Sequence, residues 1–484
     1  MRDNTGLEVQ RTFSGGVTVS TERDGFGREV RKSVRVGGIE RGAYRYEWGI
    51  TNRLLSKENE LTGTVMRYDY DRFDFLIRQE TIQGSETDVI YRMPDFVGNL
   101  FETPDKKDRK YGAGGKLLED PDCFYHYDNE GNLVFREFKE LRGSDIRYDR
   151  KRMKKERGIS FLATGTGWNY KWNSNGTLKK VIRPDGRPVE FQYDALGRRT
   201  SKQYFGKKTR WIWNGNVPLH EWSYKVTDEQ SNEEENIQKE PTEDIITWVF
   251  EVGTLIPTAK MLDSKQHSIV SDHLGTPIQM YDEQGNKIWD CILNIYGKVT
   301  SFKGSSLGDC PFRFQGQYED EETELYYNRF RYYSPNLGNY VSQDPIEFAG
   351  NNPTFYGYVY DTNSGLDLFG LNIVTVYHYT SKKSYNKISS QSPYVFKASI
   401  PKKGNPKGVY VTTKSPEILA KNNNGYKKLG LTGNKSSHFF EIQIDDSKLK
   451  SLNGDRGQFI KYIDGDVEID RSSVTRHGET PKIH

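Results

Sequence analysis

The 484-residue chain has little cysteine, no long apolar run and almost no net charge. Its three cysteines, Cys123, Cys291 and Cys310, are odd in number and lack metal-ligand spacing, which argues against a disulfide framework and a zinc site. No stretch approaches the roughly 20 apolar residues that a membrane-spanning helix needs. The first residues, MRDNTGLEVQRTF, are charged and polar and contain no secretion-signal core. Any export is therefore expected to follow a non-classical route, or to depend on a portion upstream of Met1. The net charge of +3 hides an asymmetry. Residues 372–484 hold 19 Lys and Arg against 10 Asp and Glu, a balance of +9 that leaves −6 for residues 1–371. A basic tail on an acidic body suits an intracellular target that is nucleic acid or associated with it, and it also suits plain solubility.

Hydrophobic residues make up only 34% of the chain but aromatics 13%, with 31 Tyr and 24 Phe. That mixture fits many short amphipathic strands rather than a helical bundle. YRYEWGITNRLLSKE (44–58), YHYDNEGNLVFREF (125–138) and FQYDALGRRTSKQY (191–204) share one form. An aromatic-x-aromatic strand runs into a turn of Asp, Asn and Gly, and a second strand carrying Arg or Lys returns. Units of roughly 20 residues imply hairpins that bury their apolar faces by stacking on neighbours. Two segments interrupt the pattern. Residues 224–244 are acidic and nearly free of aromatics, as expected of a disordered loop. Residues 148–158 are basic, as expected of a solvated loop.

From Pro311 to Leu371 the sequence changes character, and 113 residues of different composition follow. RYYSPNLGNYVSQDPI (331–346) resembles the segment that closes the repeat region of RHS (rearrangement hotspot) proteins, and the upstream units resemble YD repeats. The resemblance implies a mainly β fold: a spiralling YD-repeat β-sheet shell over residues 1–310, a core segment over 311–371 and a toxin domain over 372–484. It also implies self-cleavage after Leu371 by two aspartates, one carboxyl activating water while the other protonates the leaving amide. The matching positions are Asp344, in Asp344-Pro345, and Asp367, in Asp367-Leu368-Phe369-Gly370-Leu371, where Leu368 stands in place of the family's usual proline.

The tail reads as a small α+β unit of five or six strands and few helices. Strands are expected over 374–381, 407–413, 438–444, 458–463 and 467–469, with helices over 381–391 and from Ser415. Two of these strands resemble the ADP-ribosyltransferase fold of the His-Tyr-Asp type: His378-Tyr379-Thr380 is followed 32 positions on by Tyr410 in Gly408-Val409-Tyr410. The resemblance implies NAD as co-substrate, with no metal. His378 would bind a ribose hydroxyl, Tyr379 and Thr380 would help hold the nicotinamide end, and Tyr410 would stack on its ring. A carboxylate would stabilise the oxocarbenium-like charge. Gln458 lies where many relatives have Glu and cannot supply that charge. Asp466 is the expected acid, with Glu468 and Asp470 as alternatives. The family further implies a cognate immunity protein, secretion-system components and action in the target-cell cytoplasm on a protein or RNA, the translation machinery included. Two other functions compete: a metal-independent ribonuclease using His378, His438 and His477, and a non-catalytic binding module.

Overall fold

The computed structural model describes residues 1–3, 7–140, 164–226, 241–345, 354–371, 373–399, 406–416, 419, 431, 433–445, 449–451, 460–469 and 471–480. The basic patch 148–158, residues 227–240 of the acidic segment, Gln458 and Asp470 lie outside them. The beginning of the acidic segment differs from expectation. Tyr224 and Lys225 end the strand Val217–Lys225, and Val226 N–H donates to the Gly206 carbonyl at 2.8 Å.

Strands from Gln10 to Tyr91 form an eight-stranded sheet, and strands from Lys110 to Lys303 form a sixteen-stranded one. In both, each strand pairs antiparallel with its sequence neighbour. Alternation sets the faces: in Thr64–Tyr70, Met66 and Tyr68 are buried while Arg67 and Asp69 point outward. The Tyr-Asp pair does two separate jobs. The Asp anchors the turn, as where Asp194 Oδ1 accepts the N–H groups of Leu196 and Arg198 at 2.9 and 2.8 Å. Asp71, Asp272 and Asp282 repeat the same geometry. An aspartate side chain thereby satisfies two turn amides that no ladder reaches. The aromatic before the turn clamps the preceding strand: Tyr193 Oη donates to Leu178 O, Tyr70 Oη to Leu54 O and Trp213 Nε1 to Arg199 O. Gly275 closes one such turn at φ +83°, where a Cβ would also meet Ile256 Cγ1 at 2.5 Å.

The segment after the repeats is an interior element. Its four-stranded sheet spans Tyr318 to Tyr340, and the strands Leu325–Asn328 and Arg331–Ser334 are buried at every position. Its side chains reach three turns of the sixteen-stranded sheet: Tyr327 Oη donates to Gly197 O, Tyr333 Oη to Tyr296 O and Tyr356 Oη to Gly131 O. In the other direction, the Arg92 guanidinium donates to the carbonyls of Val359 and Tyr360.

Beyond Leu371 lies a six-stranded sheet ordered Lys450–Ser451, Ile460–Asp464, Gly408–Thr412, Ile373–Thr380, His438–Asp445, Val474–Glu479. Val376, Val409, Val411, Phe440, Ile442 and Ile463 share a core on one face with Tyr385 and Ile388 of the helix Lys382–Ser389. Eight strands are described here rather than five or six. Tyr394–Phe396, Lys450–Ser451 and Val474–Glu479 escaped prediction because two are too short to alternate and the third, VTRHGE, is polar.

Candidate functional site

The strand Ile373–Thr380 is the centre of the C-terminal site. It pairs with His438–Asp445 through eight consecutive residues, whereas among the described residues its register on the other side is the single pair Tyr377 opposite Thr412. Past that pair the link to Gly408–Thr412 is made by a side chain, His378 Nδ1 lying 2.9 Å from the Tyr410 carbonyl. A carbonyl only accepts, so Nδ1 carries the proton and Nε2 is the acceptor of the ring. Burial lowers the His378 pKa below its ordinary 6.5, which keeps this tautomer neutral. Phe396 stands edge-on to the ring at 5.1 Å.

The predicted site residues are gathered only in part. His378 and Tyr410 sit on adjacent strands, but their side chains leave opposite faces of the sheet. His378 packs on the face of Val376 and Phe396, whereas Tyr410 lies between Val409 and Val411 and points away from that core, towards Tyr462 at 6.0 Å. Tyr410 Oη donates to the Pro406 carbonyl. Tyr379 is buried and donates to Lys414 O at 2.9 Å, and Thr380 is buried opposite His438. Asp466 lies past the end of the strand pair at Gly408 and Asp464. It is exposed, and its carboxylate is held by Lys397 Nζ and the Ala398 N–H, both at 2.8 Å. The Lys397 hydrogen bond leads the effects that lower its pKa. Glu468 is exposed opposite Val395. Among the described residues no hydrogen bond or ion pair joins Asp466 to His378 or Tyr410.

The structure brings the other two histidines together, which their spacing in sequence did not indicate. The Tyr385 ring lies 4.6 Å from His438 and 5.6 Å from His477. His477 has Tyr385 Oη at Nδ1, 2.7 Å, and Tyr394 Oη at Nε2, 3.3 Å, and burial pushes its pKa down to about 4.

A second constellation lies in the interior segment. Asp344 and Asp367 meet on one guanidinium, their Oδ2 atoms 2.9 and 3.3 Å from Arg331 Nη2, and all three side chains are almost wholly buried. Tyr340 Oη donates to Asp367 Oδ2 at 2.7 Å, and the Leu371 N–H donates to Asp367 Oδ1 at 2.9 Å. Arg331 also donates to the carbonyls of Gly370 and Phe355. Burial pushes the Asp367 carboxyl up to about 6 against the pull of Arg331. Arg331 and Tyr340 were not anticipated as site residues, although both lie in the most distinctive stretch of the sequence.

Comparison with known proteins bears on both regions. Residues 6–364 match the family model of the teneurin YD-shell, and residues 376–472 match that of the HYD1 signature containing ADP-ribosyltransferase. The chain is similar to "Probable deoxyribonuclease RhsB" of Dickeya dadantii, at 29% identity over 76% of this chain and 24% of that protein. It is similar to double-stranded DNA deaminase toxin A of Burkholderia cenocepacia, at 27% identity over 76% and 25%. Toxin protein Tse5 of Pseudomonas aeruginosa matches at 26% identity over 71% and 30%. The chain thus spans about a quarter of the length of the first curated relatives it matches. The chain belongs to the teneurin YD-shell family, as a mainly β YD-repeat protein whose C-terminal part matches the model of ADP-ribosyltransferases with the HYD1 signature.

Proposed function

We propose that residues 1–310 form a carrier shell, that residues 311–371 hold a self-cleavage site, and that residues 372–484 transfer ADP-ribose from NAD to a target in a competitor's cytoplasm. The observation that carries this reading is the match of residues 376–472 to the HYD1-signature family. The single register pair that joins the strands of His378 and Tyr410, inside that stretch, supports it. NAD is the co-substrate and supplies the N-glycosidic bond that is broken. The residues of these two strands fit it. Neutral His378 presents Nε2 to a ribose hydroxyl, and Tyr379 and Thr380 carry main-chain groups beside it; Tyr410, whose ring lies on the opposite face towards Tyr462, reaches the nicotinamide only after it turns. Asp466 is the proposed acid. It acts only after leaving Lys397 and the Ala398 amide, so movement of that short segment belongs to the reaction. Glu468 and Asp470 are the alternatives.

Self-cleavage between Leu371 and Asn372 is supported by the meeting of Asp344 and Asp367 on Arg331. The toxin names of the relatives support secretion through dedicated machinery and a cognate immunity protein in the producer. The acceptor is a protein or RNA, and components of the translation machinery are candidates. The ribonuclease alternative is not favoured, because both ring nitrogens of His477 are engaged by buried tyrosines. Incubating the purified chain with labelled NAD and a cell lysate tests the reading. Label on a macromolecule is expected. RNA shortening without NAD would replace the transferase with a nuclease, and neither result would leave a binding module.

A further inference from the structure

We propose that Lys57 and Asp272 join in an amide bond between their side chains, a covalent tie from the eight-stranded sheet to the sixteen-stranded one. Lys57 lies on the strand Leu54–Asn59, opposite Tyr46 on one side and Met66 on the other. Both neighbours are buried, and residues directly opposite share a face, so this lysine stands on the inward face of its sheet. Its ammonium lies 5.5 Å from the centre of the Tyr44 ring and makes no hydrogen bond among the described residues. The group it meets is Asp272 Oδ2, 3.9 Å away in the turn after the strand Lys265–Ser271 of the other sheet. Both side chains are mostly buried, and with Gln79 and His273 they line a cavity of about 70 Å³.

Asp272 differs from other turn aspartates of the shell. Where the fourth residue onward carries a side-chain donor, that donor takes the second carboxylate oxygen: Arg28 on Asp24, Asn132 on Asp128, Arg198 on Asp194 and Asn286 on Asp282. At Asp272 that residue is Thr276, whose N–H goes to Oδ1 together with the Leu274 N–H, both at 3.0 Å. Oδ2 is left to face Lys57. The two amides on Oδ1 are donors already fixed where negative charge develops when an amine adds to Cγ. Burial lowers the Lys57 ammonium below its ordinary 10.5 against the pull of Asp272, and Lys32 adds to the effect. His273 follows Asp272 in the chain. Its Nε2 donates to the Asn363 carbonyl at 2.9 Å, so Nδ1 carries a lone pair, and that buried atom has no hydrogen-bond partner among the described residues. Burial holds the ring below its ordinary 6.5 and hence neutral. The charged and titratable groups around the pair are Lys32, Glu29, His273, Tyr44, Tyr46 and Tyr68. The Lys57 ammonium passes a proton to the Asp272 carboxylate, and the neutral nitrogen adds to Cγ. His273 Nδ1 moves a second proton from that nitrogen to Oδ2. The Cγ–Oδ2 bond breaks, the new Nζ–Cγ bond remains as an amide, and one water leaves. No oxidant, reductant or cofactor is consumed.

The test is the mass of the denatured product that contains both residues, read by intact-protein mass spectrometry and then on its tryptic peptides. Wild type should be lighter than its sequence by one water, with a branched peptide in which tandem spectra join Lys57 to Asp272. Lys57→Arg, which keeps the cation, should have its full mass. Asp272→Asn should link as well but lose one ammonia, because the leaving group is then the amide nitrogen. That shift separates the bond from any other dehydration. Followed from cell-free synthesis, His273→Gln should link roughly 100-fold more slowly, the scale of losing one general acid–base. Protease resistance of the shell reports the folding of each variant, and the wild-type chain alone decides the bond. Wild type at its full sequence mass overturns the proposal. So does a lost water that hydroxylamine restores, which marks a cyclic imide, and so does a branch at other residues. An unchanged rate in folded His273→Gln overturns the role of that histidine and leaves the bond standing.

Discussion

Replacing Asp320 by asparagine should destabilise the shell far more than any exposed charge change, because Asp320 closes a buried ionic cluster between the interior segment and the large sheet. Its carboxylate is fully buried between the Arg199 guanidinium and Lys202 Nζ, the latter at 3.0 Å, and Lys202 continues to Glu322 at 2.8 Å. Arg199 is enclosed by the rings of Phe191, Trp211, Tyr318 and Tyr327, 4.4–5.5 Å from its carbon. Neutralising Asp320 leaves the buried Arg199 without its counter-charge and Lys202 with Glu322 alone. Breaking a buried pair from one side costs about 3–5 kcal/mol, against a total stability of about 5–15 kcal/mol. At about 2 °C per kcal/mol in a large domain, the calorimetric midpoint should fall by ~6–10 °C at pH 7. Burial alone would raise the Asp320 pKa, but Arg199 and Lys202 hold it below its ordinary 3.8. Its contribution is therefore complete above about pH 4 and fades as pH falls through the lowered value. The asparagine variant should lack that acid-side loss. Glu322→Gln, a partly exposed partner, should cost less than about 1 kcal/mol. A midpoint for Asp320→Asn within 1 °C of wild type, by a precision of about ±0.3 °C, would refute the reasoning.

Further outcomes follow from the C-terminal domain. His378→Ala and Tyr410→Ala should each abolish growth inhibition and label transfer from NAD while near-ultraviolet circular dichroism stays unchanged; full toxicity of His378→Ala would end the transferase reading. Asp466→Asn should slow label transfer by roughly 100- to 1000-fold, the scale for losing one pre-organised charge, and Gln458→Ala should matter less. If Asp466→Asn is fully toxic and Glu468→Gln is dead, the acid is Glu468. Because burial lowers His477 to about 4, the unfolded state gains its proton first as pH falls. The stability that neutral His477 gives is present above pH 6.5 and is lost towards pH 4, and His477→Gln should flatten that slope in thermal melts.

The sequence by itself determined the repeat unit, since each Tyr-Asp turn is a local device. The aspartate satisfies amides two and four residues on, and the aromatic before it reaches back one strand, so composition and spacing suffice to specify the hairpin. It also marked His378, Tyr410, Asp344 and Asp367 as the residues to examine, because their motifs are short and contiguous. What it did not contain is distance between motifs. Arg331 joins Asp344 to Asp367 only because the interior segment folds back on itself, bringing a cation to two carboxylates 13 and 36 positions away. His438 and His477 come to the one ring of Tyr385 because His477 lies on a strand too polar to be recognised as one. The relative faces to which His378 and Tyr410 point depend on the register that sets Tyr377 opposite Thr412. That choice is made by packing against Phe396 and Phe440, which lie 18 and 62 residues beyond His378, and tertiary structure alone decides it.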